Sequence, residues 1–151
     1  MSDSPDPADI GLRYLAVSYH LRRVVDARMN AGGLSLARTK VLEVLARRGP
    51  LAQSSLAEEL GQAPRSVTQS VEALEREGLV ERTTSSEDRR AKLVSLTPQG
   101  SKAVAAGTEA GRKVLHEIFE AMGAEDLARL DKILDVIGTA VATAASDEAV
   151  S

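Results

Sequence analysis

Cysteine is absent from the 151 residues. Its absence excludes disulfides, thiolate catalysis, cysteine redox sensing and any zinc site built on cysteine. Tryptophan is also absent, and the aromatics are only Tyr14, Tyr19 and Phe119, 2% of the chain. The core must therefore be built from Leu, Val, Ile and Ala, a composition that suits helices better than a sheet sandwich. The two histidines, His20 and His116, are far apart, so no metal is expected. No phosphate-loop pattern GxxxxGK[ST] occurs, and no nucleophile–base constellation. Neither an enzyme nor a bound cofactor is expected. No run of about 18 apolar residues is present, so no membrane span is expected. The opening segment MSDSPDPADIG lacks the basic and apolar regions of a secretory signal, so a cytoplasmic protein is expected.

A basic balance is lacking as well: the net charge is −3. The charge is uneven along the chain. Residues 1–50 carry eight Lys/Arg against five Asp/Glu, residues 51–97 six against eight, and residues 98–151 five against nine. A nucleic-acid-binding face needs local positive charge, not a basic whole protein, so the acidic C-terminal third does not exclude one.

Apolar periodicity divides the chain into helices. The first is predicted over residues 10–29, with Leu12, Leu15 and Tyr19 at helical spacing, ending at Asn30-Ala31-Gly32-Gly33. A second follows Ser35 as N-cap, with Val41, Leu42 and Leu45 as its apolar face, and closes at Gly49-Pro50. A short third helix spans about Ser54 to Leu60, its start open to a residue or two earlier, with Ser55 and Glu58 fitting a capping box. Gly61 ends it, a turn of three or four residues follows, and Pro64 opens a fourth helix with Val67, Val71 and Leu74 on one face.

The period then changes. Residues 79–83 and 92–96 read as two strands of a hairpin, joined by a polar, charged turn. Thr97 caps a long helix with apolar positions at Val104, Gly111, Val114 or Leu115, Ile118 and Met122. Its glycines 100, 107 and 111 cost helix propensity, about 1 kcal/mol each, but permit close helix–helix approach. After Gly123 a last helix, over residues 125–142, carries Leu127, Leu130, Leu134, Ile137 and Val141 on one face. The expected division is a disordered N-terminus (1–8), a dimerisation helix (9–33), a winged helix-turn-helix domain (34–97), C-terminal dimerisation helices (98–145) and a frayed tail (146–151). The fold class is mainly α, an α+β winged helix flanked by long helices.

Helix, short turn, helix and hairpin in that order make a winged helix-turn-helix. Its second helix fits the major groove and reads base edges with its N-terminal turns. Those turns hold Arg65, Ser66, Thr68 and Gln69. Arginine can pair with guanine through two hydrogen bonds, glutamine with adenine, and a hydroxyl with either base or phosphate. The hairpin tip holds Asp88, Arg89 and Arg90, with Lys92 just after, a basic loop suited to a minor groove. Each of these side chains could instead be a solvated surface charge; their arrangement in one motif favours DNA. Arg82 and Lys92 flank the wing, where phosphate contact and plain solvation are equally open.

Three segments carry a resemblance: LAEELG at 56–61, PRSVTQSVEALEREGLVER at 64–82 and SSEDRRAKLVSLTPQG at 85–100. Together they resemble the multiple-antibiotic-resistance repressor (MarR) family of winged-helix regulators. The resemblance implies that Arg90 enters a minor groove and that Asp88 braces it. It implies a homodimer whose first and last helices intertwine, reading a pseudo-palindromic operator in double-stranded DNA. The dimer interface would include Leu12, Leu15, Tyr19, Leu127, Leu130, Leu134 and Ile137, whose stripes exceed what one lobe of this size needs. The family also suggests a small-molecule effector, anionic or phenolic, near His20 and Arg23, relieving repression. Ala63 departs from the Ser or Thr cap common before the recognition helix, and residues 63–92 balance six basic against six acidic groups. That balance keeps a second reading open: a winged helix serving as a protein-interaction module with little DNA affinity.

Overall fold

The computed structural model describes residues 4–84, 87 and 92–150. The chain divides into two compact units, one reaching to Val114 and the other beginning at Leu115.

The first unit opens with α1 (Pro7–Ala31), which begins inside the segment expected to be disordered. Asp6 is the reason: its carboxylate accepts the Ala8 N–H at 2.7 Å, and Pro7 occupies the first turn, where a missing N–H costs nothing. The helix buries only Val25 and Met29. In α2 (Leu36–Arg48), the Ser35 hydroxyl accepts the Arg38 N–H as expected, and Arg47 and Arg48 fill the last turn.

Two expectations fail next. Leu51–Ala52 forms a strand, β1, so the expected two-stranded hairpin is a three-stranded antiparallel sheet of order β1-β3-β2. Two residues are too few to show alternation in a sequence. The chain then passes directly from extended Ala52 into α3 (Gln53–Leu60). Ser55 therefore lies inside the helix and the capping box with Glu58 does not form; the N-cap is Ala52, without a side-chain bond.

Gly61 adopts the left-handed conformation (φ 61°), which a residue with a Cβ takes only at a cost, and turns the chain out of α3. Three residues later α4 (Pro64–Arg76) begins, its start uncapped at Ala63. The strands β2 (Val80–Thr84) and β3 (Lys92–Leu96) pair with Arg82 opposite Val94 and Thr84 opposite Lys92. The central strand β3 also pairs with β1, Leu51 opposite Val94. The lobe's core runs through Val41, Leu42, Leu56, Val67, Val71, Leu74, Val80 and Val94, with Val104 from α5 (Pro98–Phe119) closing it. The expected glycine approaches are present: a Cβ at Gly107 would stand 2.8 Å from the Thr39 hydroxyl, and one at Gly111 3.3 Å from the Met29 sulfur. Val25, Met29 and Val114 form a second, smaller cluster.

The second unit holds the end of α5 and the helix α6 (Ala124–Val150). Met122 lies beyond the end of α5, so it does not extend that helix's stripe. The expected frayed tail is helical as far as Val150. Within α6, Leu127, Leu134 and Val141 are exposed, and Leu130 and Ile137 are half-buried. No helix among the described residues is long and apolar enough to cross a membrane.

Candidate DNA interface

The helix-turn-helix is α3, the turn 61–63 and α4. On α4 the apolar ridge Val67, Val71 and Leu74 is fully buried. This ridge fixes which side of the helix faces out. Arg65, Ser66 and Gln69 are exposed on the outer side, and Arg76 continues it toward the C-terminus. Arg65 and Arg76 have no ionic partner among the described residues.

Thr68 is placed differently from the other three residues expected to read bases. It is half-buried on the flank of α4; its hydroxyl donates to the Pro64 carbonyl at 3.0 Å and accepts the Gln53 side-chain N–H at 3.2 Å. Lys92 is exposed at the start of β3. Asp88, Arg89 and Arg90 lie outside the described residues.

Two acids of the reading segment, Glu75 and Glu77, are paired within the lobe. Glu75 is gripped by Arg82: Nε donates to one carboxylate oxygen at 3.2 Å and a terminal nitrogen to the other at 2.9 Å. The Arg82 backbone N–H adds a third bond at 3.2 Å. Arg82 is thereby committed inward, its side chain 18% exposed, and the solvated or phosphate-contacting readings both give way to an internal pair. These hydrogen bonds hold the Glu75 carboxyl below the usual carboxylate range and raise the Arg82 guanidinium further. Glu77 pairs with Arg38, and Glu59 with Arg47 and Arg48. Sequence reasoning missed the Arg82–Glu75 pair because its partners are seven positions apart across a helix-to-strand junction, where no helical or strand periodicity relates them.

A cleft of about 310 Å³ lies between α1, α2 and the helix-turn-helix turn. Arg23 lines it as expected, together with Tyr19, Arg22, Lys40 and Gln62. His20 is not among its lining residues; its ring packs edge-on against Tyr19 at 5.6 Å. The Arg23 guanidinium sits 5.8 Å from the Tyr19 ring centre. Asp26, also on the cleft, accepts the Leu36 N–H at 3.0 Å, so part of its charge serves the start of α2. Lys40 and Gln62 could not be assigned from sequence, since only the folding of α2 and the turn against α1 brings them there. A second cleft, about 330 Å³, is lined by Leu34, Leu79, Ala103 and Gly107 and carries the acid Glu77 without a cation of its own. Among the described residues no cluster of His, Asp and Glu could hold a metal ion.

A buried three-helix lobe, a reading helix with one polar face and a hairpin wing define a winged-helix DNA-binding protein. Residues 34–92 match the MarR family profile. The chain is 31% identical over 111 residues to the uncharacterized HTH-type transcriptional regulator YfiV of Bacillus subtilis, covering 74% of this chain and 69% of that one. It therefore belongs to the MarR family of DNA-binding transcriptional regulators. Among solved structures it is similar to a MarR-like transcription regulator from Bacillus cereus (TM-score 0.79, 23% identity, 87% of this chain and 95% of that one). It is also similar to a cysteine-to-serine variant of Escherichia coli MarR complexed with operator DNA (TM-score 0.73, 22% identity, 85% of this chain and 93% of that one).

Proposed function

We propose that the protein is a homodimeric, cytoplasmic repressor that reads a pseudo-palindromic operator and releases it when an anionic small molecule binds. The observation that carries the reading is the division of α4: its apolar ridge is buried while Arg65, Ser66 and Gln69 stand exposed, and the neighbouring acid Glu75 is already paired. Arg65 and Gln69 read base edges in the major groove, and Ser66 contacts a base or phosphate at its rim, while Thr68 is held within the lobe. The wing residues Asp88, Arg89, Arg90 and Lys92 serve the adjacent minor groove, with Arg90 inserted and Asp88 bracing it. The exposed apolar faces of α1 and α6 join two protomers. Two-fold symmetry then sets the half-sites about one helical turn of DNA apart. The resemblance to a relative crystallised on operator DNA supports this arrangement.

The test is selection of bound duplexes from a random pool, followed by polarisation binding of the enriched duplex and a scrambled one across a salt series. Arg65→Ala and Gln69→Ala are each expected to cost about 1–3 kcal/mol on the enriched duplex; Gln69→Ala should leave scrambled binding nearly unchanged, and Arg65→Ala should weaken it by less, through the lost charge. Recovery of no enriched sequence would remove the sequence-specific reading and leave a protein-interaction module.

The effector site is the Tyr19 cleft, because its three cations Arg22, Arg23 and Lys40 outnumber its one acid, Asp26, and suit an anion, whereas no cation among the described residues lines the cleft beside Gly107. Gln62 ties this cleft to the turn that precedes the reading helix. A ligand there shifts DNA affinity only by the difference in its binding to the two states. In the same assay, aromatic carboxylates are expected to weaken operator binding, and the paired variant Arg22→Ala with Lys40→Ala to abolish that response without changing affinity in their absence. A response that survives the paired variant would move the effector elsewhere.

A further inference from the structure

The reading helix is tied to its surroundings at two points along one flank. Thr68 and Glu75 are seven residues apart, about two helical turns, and so lie on the same side of α4. Thr68 is held by Gln53, the first residue of α3, and Glu75 by Arg82 on the wing strand β2. Gln53 also joins the two ties: its side-chain carbonyl accepts a terminal N–H of Arg82 at 3.5 Å. One polar chain therefore runs from the scaffold helix to the reading helix and the wing.

We propose that Gln53, Arg82 and Glu75 are positioning residues that set the angle of α4, and with it the sharpness with which the protein tells its operator from other DNA. The inference rests on the reading of α4 as the base-reading helix. Its physical ground is the docking of α4 on a single apolar ridge, Val67, Val71 and Leu74. A helix seated on one ridge resists translation but can rock about that ridge. With its side chains a helix is about 10 Å across, so a roll of about 10° about that ridge moves the outward-facing side chains by about 1.7 Å. That displacement exceeds the tolerance of a base-edge hydrogen bond. The planar fork of Arg82 fixes the orientation of the Glu75 carboxylate as well as its distance, which a lysine ammonium cannot do. Because β2 leads into the wing, the same chain holds the two DNA-reading elements in register.

Electrostatics alone makes the opposite prediction, and the sign decides. Glu75→Gln removes a negative charge from the DNA-facing lobe, so charge alone would tighten binding to every duplex. Positioning predicts that Glu75→Gln weakens binding to the selected operator about tenfold while binding to the scrambled duplex holds or improves. Arg82→Lys keeps the charge and is expected to lose about tenfold on the operator alone, with the salt slope unchanged. Gln53→Ala is expected to lose about threefold. Each variant is measured as the full chain, with its active fraction set by stoichiometric titration and its fold checked by thermal melting; if Glu75→Gln fails to fold, Arg82→Lys and Gln53→Ala decide. Operator affinity that stays level or rises in Glu75→Gln and stays level in Arg82→Lys overturns the proposal. So does a fall in Arg82→Lys on both duplexes alike, which would make Arg82 a DNA-backbone contact rather than a positioning residue. A wild-type protein that does not discriminate the two duplexes overturns the base-reading role of α4 itself, and does so before any variant is compared.

Discussion

Gly100→Ala is expected to lower the stability of the protein by about 1–3 kcal/mol, although alanine is the better helix former. At this position in α5 a Cβ would stand 1.9 Å from the Leu79 carbonyl oxygen and 2.9 Å from its carbon. Both atoms are backbone, so no rotamer change relieves the overlap. The Leu79 carbonyl is itself held, accepting the Thr97 N–H at 3.1 Å. Thr97 in turn caps α5, accepting the Gly100 N–H at 3.0 Å while donating to the Gly78 carbonyl at 2.6 Å. Separating Gly100 from Leu79 therefore strains the cap and the base of the wing together. Overpacking costs about 1–3 kcal/mol, and loss of a cap adds about 1 kcal/mol. The helix-propensity gain of about 1 kcal/mol offsets only part of this. Thermal unfolding at one fixed protein concentration should place the Gly100→Ala midpoint below the wild type by about 5–10 °C. Coincident midpoints would show that the close approach of α5 to Leu79 is absent.

Gly100 also shows where sequence reading stops. Periodicity identified it as a helical glycine that costs propensity, and the alternative of close approach was legible as a possibility. The partner atom was not, because Leu79 lies 21 positions away and on another element. The elements that were legible are those with a local physical cause: Ser35 capping α2, Pro64 opening α4, Thr97 capping α5 and the buried ridge Val67, Val71 and Leu74. What was not legible lacks one. The strand β1 exists only because β3 offers it a partner, and the start of α3 is set by where β1 ends rather than by Ser55. At the site, Arg65, Ser66 and Gln69 follow from which side of α4 is apolar. The internal commitment of Thr68 and Arg82 depends on Gln53 and Glu75, which only the folded lobe brings near them.

Replacing Leu12 and Leu15 together by Asp is expected to convert the protein to a monomer and to weaken operator binding about 100-fold or more. The two leucines are 66% and 64% exposed on α1, with Tyr19 at 58% further along the same stripe. Leaving such side chains in water forgoes about 1.5–3 kcal/mol each, and a two-fold dimer counts every contact twice. The double variant thus removes four apolar anchors and introduces four carboxylates at one interface. The lobe itself should remain folded, because its core runs from Leu34 to Val104 and α1 is held through Val25 and Met29, more than two helical turns beyond Leu15. Loss of the dimer then acts on DNA binding through geometry. Two linked lobes gain about 10²–10⁴ in affinity over one when both half-sites are reached together. Sedimentation velocity reads the mass, and polarisation binding compares a full operator with a single half-site. The expected result is a monomer whose half-site affinity stays within about threefold of the wild type while full-operator affinity collapses toward it. A variant that stays dimeric would move the interface off this face of α1. A monomer that still holds the full operator tightly would mean that one lobe carries the recognition alone.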